Sequence, residues 1–370
     1  MRSPVSATPW IAASICLLGA GAVALIVAGA PSSSSAAPVA PTTTAPPSKA
    51  PATVTLVAGG DVALAGEPNR ALFAHIRRFL QSADLAVANL EGTLANGGSA
   101  RCVADANAGC FIFRASPRWA ATLRESGFTA LNVANNHALD YGQDAQAETL
   151  AALRREHLAF DGLPGQITYV RAGRMRVALV GCAPYRWAQN LLDLPGTAQL
   201  VRRASLRADI VVVYMHAGAE GSTADHVSGS AESYLGEPRG NPAEFAHAMI
   251  DAGADLVLAS GPHVLRGVEW YRGRLIAYSL GNLASSHTLS SAGVLAQSAL
   301  LRVTLDVRGR FVAGSLIPLR LDAWGTPAFD PGRASLGLIR SLSRSDFAAT
   351  AALIGGGGRL TRPAPRRTPA

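Results

Sequence analysis

The chain has 370 residues and a formal net charge of +8 at pH 7, from 33 Lys and Arg residues against 25 Asp and Glu residues. This length exceeds the roughly 250–300 residues at which single hydrophobic cores stop growing, so terminal segments must be separated from the folded body first. Lys49 is the only lysine, and the arginines are dispersed along the chain. No basic segment is interleaved with stacking aromatic residues, which argues against a nucleic-acid partner.

Residues 1–30 contain an uncharged apolar run from Trp10 to Ala30. At about 1.5 Å per residue this run would just span a bilayer core about 30 Å thick, which favours a membrane anchor. The small residues Ala28, Gly29 and Ala30 would also suit a signal peptidase, so a cleaved signal peptide is the alternative. Arg2 precedes the run, and we therefore expect an extracytoplasmic protein, either membrane-anchored or secreted.

The remaining segments are distinguished by composition. Residues 31–52 consist mostly of Pro, Ser, Thr and Ala, which is typical of a solvated linker. Residues 355–370 begin with four glycines and continue with Arg and Pro, which predicts a disordered tail. Between them we expect one domain over residues 53–321, followed by a C-terminal helical extension over residues 322–354.

Short apolar runs alternate with segments of helical spacing, which predicts an α/β domain whose sheet is buried on both faces. The predicted strands are Val54–Ala58, Leu85–Ala88, Ala130–Ala134, Val177–Val180, Ile210–Tyr214 and Leu256–Ala259. The predicted helices are Ala71–Leu80, Pro117–Ser126, Asp144–Glu156 and Pro242–Ala252. Later hairpins that turn at Gly273 and Gly309 add antiparallel strands, so the expected fold is a layered α/β sandwich with mixed β-sheets.

The cysteines differ in their surroundings. Cys102 and Cys110 bracket a short segment, and in an exported protein this spacing predicts a local disulfide. Cys182 directly follows an apolar strand and is expected to be a buried free thiol.

Polar side chains follow five of the six predicted strands. They occur in the segments Gly59-Gly60-Asp61, Asn89-Leu90-Glu91, Asn135-Asn136-His137-Ala138-Leu139-Asp140, His216-Ala217-Gly218-Ala219-Glu220 and Ser260-Gly261-Pro262-His263. Any one of these residues could be a turn former, a helix cap or a structural histidine. Because open α/β sheets bind ligands at the carboxyl ends of their strands, five such segments together predict a functional site.

The residue types indicate which ligand this site would take. Carboxylate, amide and imidazole groups together suit Mn, Fe or Zn better than Mg or Ca. Such an ion activates water and polarises phosphoryl or acyl oxygens, so it supports hydrolysis at neutral pH. His137, next to the proposed ligand Asn136, is the candidate that would protonate the leaving group.

Six segments occur in a recognisable order, and the first five carry the polar positions described above. They are Gly-Gly-Asp-Val at 59–62, Asn-Leu-Glu-Gly at 89–92, Ala-Asn-Asn-His-Ala-Leu-Asp-Tyr-Gly at 134–142, His-Ala-Gly-Ala-Glu at 216–220, Gly-Pro-His-Val-Leu-Arg-Gly-Val-Glu at 261–269 and Leu-Ile-Ala-Tyr-Ser-Leu-Gly-Asn at 275–282. Together they resemble the CapA family, which is associated with poly-gamma-glutamate capsule synthesis or export. The domain of that family is similar to calcineurin-like metallophosphoesterases, and the resemblance runs from about Val54 to Leu321.

The resemblance implies a role for each matching position. It implies that His137 is the catalytic histidine and that the metal ligands are Asp61, Glu91, Asn136, His216 and His263. Asp61 and His263 would bind a first metal, Asn136 and His216 a second, and Glu91 would bridge them. The resemblance also implies a supporting or substrate-binding set that consists of Asn89, Asn135, Asp140, Glu220, Arg266 and Asn282.

Two positions depart from the phosphoesterase pattern. Ala63 stands where a histidine usually follows the first Asp, and Ser260 stands where another histidine is usual. With two imidazoles missing, the cofactor is expected to be either one or two divalent ions. Glu220, Asp225 or His226, in the loop after His216, are candidates to compensate.

Two functions remain open at this point. The first is a metal-dependent hydrolase that acts on an anionic cell-envelope or capsule polymer, or on a phosphorylated precursor. The second is a non-catalytic assembly or export factor in which Arg266 and other arginines bind the carboxylates of such a polymer. Either role would bring the chain to the capsule synthesis machinery at the membrane.

Overall fold

The structure, a computed structural model, describes residues 52–104 and 109–364. The expected anchor or signal peptide and nearly all of the linker lie outside the described residues, as do positions 365–370 of the expected tail. Among the described residues, no helix combines the length and apolar character that crossing a bilayer requires.

The elements follow one another as an alternation of strands and helices. The strands are β1 (Thr53–Ala63), β2 (Leu85–Leu90), β3 (Thr93–Leu94), β4 (Arg114–Ala115), β5 (Ala130–Asn132), β6 (Ala159–Asp161), β7 (Thr168–Ala172), β8 (Met175–Cys182), β9 (Ile210–His216), β10 (Glu232–Tyr234), β11 (Glu237–Gly240), β12 (Leu256–Ser260), β13 (Val268–Tyr271), β14 (Arg274–Ala277), β15 (Asn282–Ser285), β16 (Gln297–Asp306), β17 (Phe311–Leu321), β18 (Pro327–Phe329), β19 (Leu353–Ile354) and β20 (Leu360–Thr361). The α-helices are α1 (Arg77–Gln81), α2 (Trp119–Ser126), α3 (Gly142–Arg155), α4 (Leu194–Ser205), α5 (Pro242–Asp251) and α6 (Ala334–Phe347).

Two large mixed sheets form the centre of the fold. The first has the order β18-β17-β16-β1-β2-β5-β6, with β15 pairing to the end of β1. Its strands β1, β2, β5 and β6 are parallel, whereas β16, β17 and β18 are antiparallel. The second has the order β13-β14-β12-β9-β8-β7, with four parallel central strands and an antiparallel strand at each edge.

Successive side chains of β1 point into two different hydrophobic layers. In β1, Leu56 and Ala58 join a core that also contains Val212 and Leu258 of the second sheet, so the two sheets pack face to face. Val57 points the other way, into a separate core with the side chains of α1, α2 and α3. A third core buries the outer face of the second sheet against α4 and α5. The expected layered α/β sandwich with mixed sheets is therefore confirmed, in the layer order α/β/β/α.

The six predicted strands all occur, but the helices differ in two places. The predicted helix Ala71–Leu80 is wrong in its first half, where hydrogen bonds between residues three apart form successive turns and α1 covers only Arg77–Gln81. Helix α4 was not predicted. It is marked in the sequence by Asp193, whose carboxylate accepts a hydrogen bond from the Gly196 backbone amide, and by a proline in its first turn.

The prediction of disorder from residue 355 is wrong for residues 355–364. Here β20 pairs with β19, and Leu360 is buried in the core between the sheets. The indole of Trp270 also donates a hydrogen bond to the Thr361 carbonyl at 3.1 Å. The glycines form the turn between the two strands, and Gly358 has a φ of 84°, which favours glycine. Strand pairing, the burial of Leu360 and the hydrogen bond from Trp270 together order this segment.

The cysteines pair as their spacing predicts. Cys102 and Cys110 form a disulfide, with Cα atoms 6.4 Å apart. Cys182 is a buried free thiol.

Candidate metal centre

The polar residues that follow the strands meet where the carboxyl ends of both sheets converge. From the first sheet come Asp61, Glu91 and the segment after β5. From the second sheet come His216, the last residue of β9, and His263, which follows β12. The predicted convergence is therefore present, and the site lies between the two sheets.

Asp61 is fully buried and is contacted from several sides. Its Oδ1 atom accepts a hydrogen bond of 2.8 Å from the Asn89 side-chain amide and lies 3.6 Å from Nδ1 of His216. Its Oδ2 atom accepts one of 3.1 Å from the Gly261 backbone amide and lies 3.4 Å from Nδ1 of His263. Burial alone would raise the pKa of Asp61, but the two histidines hold it well below its usual value.

Glu91 is fully buried, yet neither of its carboxylate oxygens has a hydrogen-bond partner within residues 52–104 and 109–364. Oε1 of Glu91 lies 3.7 Å from Nε2 of His216, which is also buried and has no hydrogen-bond partner in these ranges. Ligand atoms of Asp61, Glu91 and His216 all lie within 4.8 Å of one another. Burial, followed by the charge of Asp61, raises the pKa of Glu91 well above its usual value, whereas burial lowers that of His216.

Asn136 completes this set of free ligand atoms. Its Oδ1 atom is buried and accepts no hydrogen bond from the described residues, and its Nδ2 atom donates to Oε1 of Glu220 at 3.3 Å. Buried polar groups are nearly always hydrogen-bonded, so unpaired oxygens and an unpaired imidazole nitrogen at one site need an explanation. A divalent cation is the ligand that these donors fit.

His263 is held in an uncommon backbone conformation, with a φ of 62°. Its Nδ1 atom hydrogen-bonds with Oδ1 of Asn282 at 2.9 Å, and its Nε2 atom lies 3.7 Å from Glu91 and 3.6 Å from Glu220. Burial would lower the pKa of His263, but the surrounding carboxylates, Glu91 foremost, raise it well above its usual value. A positive charge at this position therefore stabilises the cluster.

His137 lies beside the cluster and is oriented by Asp140. Its Nδ1 atom is 2.8 Å from Oδ2 of Asp140, and its Nε2 atom is 3.9 Å from Oε1 of Glu91. Asp140 also accepts hydrogen bonds from Nε of Arg101 at 2.8 Å and from the backbone amide of Phe113 at 2.7 Å. Because a carboxylate only accepts, Nδ1 carries the hydrogen and Nε2 is left facing the cluster.

The supporting residues Asn89 and Asn135 connect the strands behind the cluster. Oδ1 of Asn89 accepts hydrogen bonds from the side-chain amides of Asn132 at 2.8 Å and Asn135 at 3.1 Å. Asn135 also donates to the Leu90 carbonyl at 2.8 Å. These bonds fix the loop that carries Asn136 and His137.

A cleft of about 490 Å³ opens onto the cluster, and Asn136, His137 and His263 line its floor. The stacked rings of Tyr185 and Trp187 line one wall, with their centroids 4.7 Å apart. The Trp187 indole donates a hydrogen bond of 3.0 Å to the Asn135 carbonyl, which ties this wall to the site. The cleft can therefore admit a substrate to the proposed metal ligands.

Arg239 was missed by the sequence analysis. Its side chain is buried at the cleft, and its Nη1 atom lies 2.7 Å from Oε1 of Glu220. Burial would raise the pKa of Glu220, but His263 and Arg239 lower it to about 2. Glu220 therefore lies in the cluster. It is one of the three residues that were proposed to compensate for the missing imidazoles. Arg239 lies in β11, where no periodic pattern marks a strand, so the sequence offered no signal for it.

Arg266 does not face the cleft, so its predicted role in binding polymer carboxylates is wrong. Its side chain is 1% exposed, and its Nη1 and Nη2 atoms bind Glu232 at 3.0 and 2.7 Å. Nε of Arg266 donates to the Ala224 carbonyl at 2.7 Å, so this arginine connects two loops. His226 is also unsuited to the compensating role, because its ring is mostly exposed and pairs with Asp346 at 2.7 Å. No contact brings Asp225 to the metal ligands among the described residues.

Ala63 and Ser260, the two residues that depart from the phosphoesterase pattern, both lie close to the proposed ligands in sequence. Ala63 is buried in β1 opposite Ser285. Ser260 places its hydroxyl 3.4 Å from Nδ1 of His216, so it contacts the cluster without supplying an imidazole.

The family described as "Bacterial capsule synthesis protein PGA_cap" matches residues 55–287 of this chain. The chain belongs to this family. Among curated relatives, it is 32% identical over 177 residues to "PGA biosynthesis protein CapA" of Bacillus subtilis (strain 168), covering 43% of each chain. It is 27% identical over 298 residues to "Capsule biosynthesis protein CapA" of Bacillus anthracis, covering 74% of this chain and 68% of the relative. The chain thus spans less than half of the Bacillus subtilis relative's length.

Two solved structures have a partial likeness to this chain. The 5'-nucleotidase precursor from Thermus thermophilus covers 79% of this chain and 59% of its own, with 14% identity and a TM-score of 0.40. Purple acid phosphatase PPD1 from yellow lupin seeds covers 76% and 53%, with 11% identity and a TM-score of 0.37. At these scores the likeness carries no conclusion about function.

Proposed function

We propose that this member of the capsule synthesis family is a metal-dependent hydrolase that acts on an anionic capsule or cell-envelope polymer or on its phosphorylated precursor. The observation that carries the proposal is the pairing of Glu91 and His216. Both side chains are fully buried, and their facing atoms have no hydrogen-bond partners in the part of the chain that the structure describes. Leaving a buried charged group unsatisfied costs at least about 1–3 kcal/mol, which a bound cation would remove.

The arrangement of the ligand atoms fits one tightly bound ion. Asp61, Glu91 and His216 supply two carboxylates and an imidazole within 4.8 Å of one another. Mn, Fe and Zn accept this mixture. Because Ala63 and Ser260 supply no imidazole, we propose that Asn136 and His263 contribute to the same ion or to a second, weaker one.

The chain's own groups support a hydrolytic reaction. When bound, the ion would supply activated water and polarise the oxygen of the bond to be cleaved. His137 presents Nε2 to the cluster, where the ring, when protonated at both nitrogens, can donate a proton to the departing oxygen and return to its neutral form. Asp140 holds the opposite nitrogen at 2.8 Å and so keeps the ring in this orientation. The cleft of about 490 Å³ limits the substrate to a segment of a larger polymer or to a small precursor.

We further propose that the reaction takes place outside the cytoplasmic membrane. The apolar run before the domain and the disulfide between Cys102 and Cys110 support this location. Disulfides persist in oxidising compartments and are rare in the cytosol.

The full chain should be assayed for bound Mn, Fe and Zn and for cleavage of phosphomonoester, phosphodiester and gamma-glutamyl substrates. Glu91→Gln and His216→Ala should lose metal and turnover together, whereas His137→Gln should lose turnover and keep metal. His226→Ala is the matched control, because His226 lies outside the cluster and should change neither. If a well-folded chain binds no metal after supplementation, the hydrolase proposal fails and a non-catalytic polymer-binding role replaces it.

A further inference from the structure

Arginines that are far apart in the sequence meet at the opposite end of the fold from the metal centre. They line two adjacent cavities of about 630 and 520 Å³ that share Phe311 and Arg362. We call this surface the arginine groove, and its arginines are Arg272, Arg274, Arg302, Arg310, Arg359 and Arg362.

The position of the groove follows from the register of β1. Thr53 pairs with Asp306, which lies in the groove beside Arg310. Asp61 of the metal centre is eight residues further along the same strand. At about 3.3 Å per residue, the two ends are roughly 26 Å apart. The groove is therefore a separate site.

Three of the six arginines are neutralised by acidic side chains. Arg310 pairs with Asp306 at 2.7 Å, Arg274 with Asp255 at 2.9 Å and Arg272 with Asp251 at 3.1 Å. Within the part of the chain that the structure describes, Arg302, Arg359 and Arg362 form no ion pair. The groove therefore keeps an excess of positive charge.

Two of these three arginines are fixed by neutral acceptors. Arg302 donates hydrogen bonds to the hydroxyl and carbonyl of Ser82 at 2.8 and 3.2 Å. Arg362 donates to the Gly273 carbonyl at 2.8 Å and lies over the ring of Trp270 at 4.8 Å. These contacts order the guanidinium groups without cancelling their charge, so the entropy cost of binding an anion is already reduced.

We propose that the arginine groove binds an extended polymer that carries repeated anionic groups. Planar guanidinium groups match carboxylates and phosphates in a two-point geometry, and several of them along a groove favour repeated charges over a single ion. A recessed groove admits an extended chain, whereas a flat lipid surface would reach only its rim. This binding is independent of the proposed hydrolysis, because the groove and the metal centre share no residue.

The test uses the full chain and a fluorescent poly-gamma-glutamate of defined length as the polycarboxylate probe, with polyphosphate and neutral dextran in parallel. Arg359→Glu/Arg362→Glu should weaken binding at least about tenfold, since about 1.4 kcal/mol of lost interaction has this effect. Arg171→Glu/Arg174→Glu is the matched control, because it makes the same charge change at exposed residues of the β7–β8 hairpin. At a salt concentration that screens long-range charge effects, the control should change affinity less than about twofold.

Equal weakening by the two double variants would overturn the proposal, since it would show attraction by net charge alone. Absence of binding by the wild type, or tighter binding to anionic lipid vesicles than to either polymer, would also overturn it. A preference between polycarboxylate and polyphosphate identifies the anionic group. Should the double variant fail to fold, the single variant Arg359→Glu replaces it, because Arg359 is exposed. Metal content and hydrolysis by the groove variants should match the wild type, so this proposal and the hydrolase proposal can fail separately.

Discussion

The Nε2 atom of His216 lies 3.7 Å from the Oε1 atom of Glu91, and each is buried without a hydrogen-bond partner among the described residues. The two residues belong to different sheets, since Glu91 follows β2 and His216 ends β9. Folding has therefore brought a carboxylate and an imidazole from separate sheets to face each other at one buried site.

The substitution Glu91→Gln should abolish metal binding while leaving the metal-free protein at least as stable as the wild type. The reason is that glutamine keeps the shape of the side chain but removes a buried carboxylate whose oxygens accept no hydrogen bond from the described residues. Metal content and urea unfolding in a chelator would measure the two effects. The exposed residue Glu125 offers the control Glu125→Gln, and retention of stoichiometric metal by Glu91→Gln would contradict the prediction.

Metal should stabilise the wild-type fold, because its proposed ligands connect the two sheets. A ligand that binds only the folded state at 100 times its Kd raises the free energy of unfolding by about 2.7 kcal/mol. Urea unfolding of the wild type with and without Mn or Zn would measure this gain. The variant His216→Ala should show no such gain, and an equal gain in both proteins would place the ion elsewhere.

The substitution Asp140→Asn should reduce turnover by about a hundredfold or more, within the range that positioned proton donors contribute, and should leave metal bound. A ring that donates a proton from Nε2 carries hydrogens at both nitrogens, and the Asp140 carboxylate accepts the hydrogen at Nδ1. An asparagine amide can instead donate to an unprotonated Nδ1, and a ring held in that way is neutral and a poor proton donor. The measurements are kcat, its pH profile and metal content. Asp144→Asn, at an exposed position of α3, is the control, and an unchanged kcat in Asp140→Asn would remove Asp140 from the mechanism.

The substitution Asp161→Asn should stabilise the protein at pH 8 and have little effect near pH 4. Burial raises the pKa of Asp161 from 3.8 to about 7. The folded state therefore binds a proton more tightly than the unfolded state between these values, so the free energy of unfolding falls as the pH rises through this window. Asparagine has no such proton, and the gain at pH 8 should be on the order of 1–4 kcal/mol.

Urea unfolding of wild type and Asp161→Asn at pH 4.5 and pH 8 would test this dependence. A stability difference that is the same at both pH values would show that Asp161 does not titrate in this window.

Much of the site could be predicted from the sequence because its residues follow continuous apolar strands. The rule that parallel strands present their carboxyl ends at one edge was sufficient to group Asp61 with Glu91 in the first sheet and His216 with His263 in the second. That the two groups meet depends on the packing of the two sheets, which the rule does not give. Arg239 could not be found in this way, since β11 has no apolar pattern and its arginine is buried through pairing with Glu220. Arg266 was misassigned because its neighbours in sequence are site residues, whereas its side chain turns towards Glu232.

The arginine groove could not be predicted from the sequence either, because its charged residues are distant from one another along the chain. Its residues are dispersed between positions 272 and 362, and the β13–β14 hairpin, the β16–β17 hairpin and the docking of β20 bring them together. The ordered segment 355–364 was missed for a related reason. Its composition is that of a linker, but Leu360 finds a place in a core formed by residues distant in sequence.

The division of the proposed ligands between two halves of the chain has a consequence for its synthesis. Asp61, Glu91 and Asn136 belong to the first 140 residues, and His216 and His263 follow much later. A chain that is still being made therefore holds only the oxygen donors and has no imidazole from the second sheet. Under the proposed function, a half-finished chain cannot cut polymer prematurely, and capture of the ion marks the moment at which both halves have come together.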